Sequence, residues 1–274
     1  RVGANGVMQL NHPTAESKAA RDEGYFRVLE YHQGQRIPLT DDGTALGMIW
    51  RRPGGAAAHR NIDYDVQEAL NGVHVPLNLT YRELWHNMLS HGILRAGTAN
   101  SDSHSLRSEQ LGYPRNIVHT GFDRAGFNLD GFNRAVREGR LVGTNGPYIE
   151  ARTTNAMGAV RGPGVASFVP ANAAVLDVEV RAAPWGPVTE VRFVVNGQVA
   201  RTISGGDITT PTDAFGTDGV VRWRGQVNVR ELLGNRDGWI IVEAGVALPP
   251  ARDSDDDGLI DLVDGDGDGA LDDT

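Results

Sequence analysis

Asp102 and His104 stand two residues apart in the polar stretch Asn100-Ser101-Asp102-Ser103-His104. On an extended backbone, residues two apart point to the same side. A carboxylate and an imidazole could then approach one metal ion together. Other residues of ligand type stand at comparable positions. His12 follows the apolar run at residues 7–10 and precedes Pro13, which pushes it toward an extended conformation. Glu68 lies near the C-terminal end of a strand expected over residues 62–70. Imidazole plus carboxylate suits a divalent ion such as Zn²⁺, Mn²⁺ or Fe²⁺. Two ions bridged by a carboxylate could activate a water and clamp a leaving oxygen. The chemistry expected is metal-dependent hydrolysis.

A second constellation closes the chain. Asp253, Asp255, Asp257, Gly258 and Asp261 recur as Asp264, Asp266, Asp268, Gly269 and Asp272, eleven residues on. Alternate carboxylates with a glycine after the third supply the oxygen ligands and the sharp turn of a Ca²⁺ loop. Without calcium, carboxylates at this density repel one another. The tandem resembles thrombospondin type 3 repeats and lacks the terminal Glu of an EF-hand. Such loops fill at the millimolar calcium found outside cells. An exported protein, extracellular or at the cell surface, is therefore expected.

The elements that must carry these residues can be read in order. Strands are expected over residues 7–10, 25–30, 62–70, 93–99, 116–119 and 141–144, with helices over residues 16–23, 80–91 and 129–139. Thr80 and Glu83 form a capping box that places the start of the second helix. Leu84, Trp85, Met88 and Leu89 give that helix an apolar face. Residues 35–61 read as a long insertion. Glu30 and His32 form another carboxylate-x-imidazole pair, for which a surface role is expected. Alternating strands and helices imply parallel strands with crossover helices. In such folds, functional residues gather at the C-terminal ends of the strands. His12, Glu68, Asp102 and His104 all fall at such ends.

Composition sets the outer limits. The chain has 274 residues and a net charge of −9. That balance argues against nucleic-acid binding through a basic surface. Much of the acidity lies in residues 253–274, so the rest is nearer neutrality. The absence of cysteine removes disulfides, thiolate zinc sites and cysteine nucleophiles from consideration. No apolar run approaches the roughly 18 residues of a membrane span.

Five motifs occur in a fixed order: Asn11-His12-Pro13, Glu68 to Gly72, Asn100 to His104, Gly112 to Arg115, and Thr144 to Pro147. Together they resemble the PHP (polymerase and histidinol phosphatase) superfamily, in particular the CehA/McbA carbaryl-hydrolase-like metallohydrolases. The likeness covers roughly the first 150 residues. It implies an α/β fold, a distorted (β/α)₇ barrel of PHP type, with two or three divalent metals. It further implies His12, Glu68, Asp102 and His104 as metal ligands, with Glu68 bridging. Arg115 would stand at the pocket as a catalytic group pairing with an anionic oxygen, and Asn145 would contact substrate. The substrate implied is a small-molecule phosphoester, or a carbamate or carboxyl ester. Members of this family carry a His-x-His pair on the first barrel strand. No two histidines here are spaced that way, so the resemblance implies a chain that begins partway through the barrel, with the opening strands expected before Arg1.

The texture changes near residue 152. Residues 175–181 and 190–196 alternate apolar and polar, Asn196-Gly197 is a hairpin turn signal, and strands follow at residues 198–203, 220–229 and 238–246. A small all-β, immunoglobulin-like sandwich is expected, with Trp185, Trp223 and Trp239 mostly in its core. The expected organisation is a partial metallohydrolase barrel at 1–152, the sandwich at 153–250 and calcium repeats at 251–274. The alternative reading is a non-catalytic, calcium-stabilised surface or matrix protein with a degenerate barrel.

Overall fold

The structure, a computed structural model, describes residues 5–13, 64–73, 75–90, 92–105, 110–165 and 174–247. The aspartate tandem, Glu30, His32, His91 and the elements expected within residues 16–61 lie outside these.

The first layer is a three-stranded parallel sheet in the order β1 (Gln9–Leu10), β2 (Val66–Asn71), β3 (Ala96–Asn100). Val66 and Ala96 are buried in it and meet Leu141. Helix α1 (Val75–Ser90) covers the sheet with Tyr81, Leu84, Met88 and Leu89 buried. The helix begins five residues before the capping box, with Pro76 in its first turn, where proline is tolerated. Thr80 is therefore buried inside the helix. Trp85 lies flat on β3, because a Cβ on Gly97 would come within 2.8 Å of the indole. The indole N–H donates to Arg95 O over 2.9 Å and fixes that approach.

The parallel pattern ends there. Strands β4 (Arg115–Val118) and β5 (Leu141–Thr144) pair antiparallel, although helix α2 (Leu129–Arg137) lies between them in sequence. Asn128 caps α2 by accepting from Gly131 N–H. Arg137 and Asn133 on α2 donate to the carbonyls of Gly6 and Asn5, tying the helix to the approach to β1. The side chain of Asn116 both accepts from Ala99 N–H at 2.9 Å and donates to Ala99 O at 2.8 Å. An amide side chain thus takes the place of a strand neighbour along β3.

From β6 (Tyr148–Thr154) onward the chain is antiparallel β. One sheet has the order β11-β8-β6-β7 and the other β10-β9-β12. The further strands are β7 (Val160–Arg161), β8 (Val175–Arg181), β9 (Glu190–Val195), β10 (Gln198–Ser204), β11 (Val221–Asn228) and β12 (Ile240–Gly245), with a short helix α3 (Val229–Leu233) after β11. Alternate residues Leu176, Val178 and Val180 of β8 face Val191, Phe193 and Val195 of β9 across one core. Asn196 and Gly197 turn β9 into β10 with φ of 50° and 83°, as an Asn-Gly hairpin requires. Trp223 packs on Phe193, whereas Trp185 is exposed.

The expected (β/α)₇ barrel is overturned. The described residues are mainly β-strand in four small sheets, and no closed barrel exists among them. The physical reason lies at β4 and β5. A helix between two strands predicts a crossover joining parallel neighbours, but α2 returns the chain to an antiparallel partner. β6 also runs across the 152/153 boundary expected from sequence, so the first sheet of the second half already begins at Tyr148.

Candidate metal centre

The C-terminal ends of β1, β2 and β3 carry the residues singled out by type. Because the three strands run parallel, His12, Glu68 and the Asp102–His104 loop emerge at one edge of the sheet. β5 runs the same way. Gly139 opposes the Ala96 methyl and Gly143 opposes the Ala99 methyl, at 3.2 and 2.9 Å from an added Cβ. Thr144 and Asn145 therefore lie toward the edge where Asn100 lies.

Glu68 is the buried anchor of this edge, with 1% of its surface exposed. Oε2 accepts the backbone N–H of His12 at 2.9 Å. Oε1 accepts the side-chain amides of Asn100 at 2.8 Å and Asn71 at 3.2 Å. Residues three apart on a regular strand point to opposite faces. Here the register shifts between Glu68 and Leu70, so that Ala69 is an extra residue in β2. That bulge restores parity and brings Glu68 and Asn71 together. Asn71 and Asn100 are themselves register partners on β2 and β3. Asn71 N–H in turn donates to Asn78 Oδ1 on α1 at 2.6 Å.

Asp102 lies between two imidazoles. Oδ1 is 3.1 Å from His104 Nε2, and Oδ2 is 3.9 Å from His12 Nε2. His12 Nδ1 faces the Tyr81 hydroxyl at 3.4 Å, and Tyr81 is fully buried in α1. The hydroxyl on Nδ1 holds the ring so that Nε2 turns to Asp102. His12 and Asp102 both have left-handed backbone, with φ of 49° and 48°. His and Asp tolerate that region better than most residues, and such conformations persist where the surroundings hold them. At His12 that hold is the Glu68 carboxylate.

A carboxylate flanked by two imidazoles, half open to solvent, has the donor chemistry for a borderline divalent ion. His12, Asp102 and His104 fit that chemistry by type. Both Glu68 oxygens are engaged by N–H donors, so that in this structure it supports the loop carrying His12. Among the described residues, no group of three or more His, Asp or Glu side chains converges closely enough to hold an ion.

Arg115 is at the head of β4, exposed, with Nη1 donating to Gly112 O at 3.2 Å. It stands opposite Thr144 in the hairpin. Asn145 is exposed in the turn that follows, where Thr144 Oγ1 accepts from Gly146 N–H. Both belong to the adjoining hairpin rather than to the Asp102 cluster. Tyr81, Asn71, Asn78 and Asn100 were not singled out from sequence. The available signal was the pair of asparagines closing two neighbouring strands; nothing in the sequence marks Tyr81.

Compared with protein-family models, with curated proteins and with solved structures, the chain matches none.

Proposed function

We propose that this chain is a metal-dependent hydrolase acting on a small phosphoester, or a carbamate or carboxyl ester. The observation that supports it is the gathering of His12 on one loop with Asp102 and His104 on another, at the C-terminal edge of a parallel sheet, braced by buried Glu68. The ordered motifs that resemble the PHP superfamily favour the same reading. A divalent Zn, Mn or Fe ion held there would lower the pKa of a water and offset negative charge on the substrate. Asp102 would orient both imidazoles toward one point. Tyr81 would fix the tautomer of His12 through Nδ1, as outer partners of metal-binding histidines do. Arg115 and Asn145, on the adjoining hairpin, would meet the leaving or anionic portion of the substrate. The test is hydrolysis of p-nitrophenyl phosphate and p-nitrophenyl acetate after chelation and after resupply of each metal. Metal-restored hydrolysis of either ester is expected; none with any of the three metals would refute the proposal.

The aspartate tandem favours a second reading, a calcium-stabilised protein of the cell exterior. It predicts that Ca²⁺ protects residues 253–272 from proteolysis. Equal cleavage with and without calcium would count against it. Among the described residues no helix is long and apolar enough to cross a membrane.

A further inference from the structure

We propose that the cleft between the β4–β5 hairpin and strands β6 and β7 binds a small oxyanion, a phosphate or carboxylate group. It lies at the start of β5, the opposite end of that strand from Thr144, and so is separate from the Asp102 cluster. Its volume is about 510 Å³, enough for a small metabolite. Arg140, Arg152 and Arg161 line it, with His119, Glu138 and Glu150.

The charges do not cancel. Glu138 is paired with Arg140 at 3.0 Å, and Glu150 with Arg152 two residues along the same strand. Each carboxylate is matched by one guanidinium. Arg161 is the surplus: its described partner is the neutral carbonyl of Val160, at 3.2 Å from Nη1. A guanidinium without a carboxylate among the described residues, lining a concave wall, is a donor fork of the shape that phosphate and carboxylate fill. The Arg140 Nε is buried and makes no hydrogen bond, its ion pair with Glu138 lying off the N–H direction.

The surroundings allow an anion to approach. The last carbonyls of α2, which would repel it, are occupied: Gly139, Arg140 and Val165 amides bond Val136, Ala135 and Glu138 oxygens. Gly162 leaves open space where a side chain would stand. His119 is fixed beside Arg140 by its own N–H, which donates to Arg140 O at 2.7 Å. Its imidazole adds a further donor.

The test is a calorimetric titration of the full chain with inorganic phosphate and, separately, with succinate, after metal has been stripped by a chelator and the chelator removed by dialysis, so that metal-borne binding is silent. Saturable binding of at least one anion is expected, weakened about tenfold or more by Arg161→Gln, in line with a lost charge-assisted hydrogen bond. Arg201→Gln, exposed on β10 in the other sheet, should bind as the wild type does. Binding of phosphate alone would assign phosphate-bearing ligands, and of succinate alone carboxylates. No saturable binding of either anion, or equal affinity in Arg161→Gln and wild type, or equal weakening by Arg201→Gln, would overturn the proposal.

Discussion

The backbone N–H of His12 donates to Oε2 of Glu68 over 2.9 Å, so that a buried carboxylate on one strand sets the loop at the end of its neighbour. The same carboxylate gathers Asn71 and Asn100. One side chain thereby organises the ends of three parallel strands. The Asp102 cluster depends on this arrangement for the position of His12.

Replacing Glu68 by Ala leaves three donors facing its former place. An unsatisfied buried donor costs about 1–3 kcal/mol, and some of these can recover water. Glu68→Ala is expected to lower stability by roughly 2–4 kcal/mol, read as a shift in the urea midpoint. A midpoint within error of wild type would show that Glu68 does not hold this edge together.

Tyr81 is expected to act through His12. Tyr81→Phe removes only the hydroxyl facing Nδ1. Losing an outer partner of a ligand histidine weakens metal affinity about 10–100-fold. At 3.4 Å the contact is long, so the effect belongs near the lower bound. Competition against a metal-sensitive dye measures it. Unchanged affinity would remove Tyr81 from the account.

The junction between the two halves carries its own signature. Arg82, His86 and Ser90 lie along one face of α1 and meet the second half: Arg82 pairs bidentately with Glu243, and Ser90 Oγ accepts from Trp239 Nε1 at 3.3 Å. His86 is wedged between Trp85 and Trp239, with Nε2 3.9 Å from Glu243. Burial, helped by the Arg82 charge, pushes His86 down from 6.5 to about 3. The unfolded chain takes up this proton near its ordinary pKa, whereas the folded chain does not until much lower pH. Stability from this group is therefore complete above 6.5 and declines as pH falls toward about 3. The loss is about 2 kcal/mol by about pH 5. His86→Phe, which keeps the aromatic contacts, is expected to flatten the fall in urea stability between neutral and acidic pH. An equally steep fall in the variant would contradict it.

Much of the second half was legible because one-sided burial writes itself into an alternating strand. Leu176, Val178 and Val180 show it, and the Asn196-Gly197 turn joins β9 to β10. β6 was less legible: Ile149 and Ala151 pack on the sandwich core, but all its residues except exposed Arg152 are half-buried, so the alternation is shallow. The antiparallel pairing of β4 with β5 was misread because pairing direction is a long-range choice; the intervening helix carries no mark of it. At the candidate site, residue type singled out His12, Asp102 and His104, which the structure places side by side. It could not show that Glu68 spends both oxygens on N–H donors. That outcome depends on a one-residue bulge at Ala69 and on an asparagine from the next strand.

Asp102, between His12 and His104, is proposed to hold a divalent metal. Zinc, manganese and iron affinities of the wild-type chain and of Asp102→Ala, measured by equilibrium dialysis after chelation, test it most directly. The loss should exceed the 10–100-fold typical of outer partners, reaching on the order of a hundredfold or more. Equal affinity and stoichiometry in the two proteins would contradict the assignment.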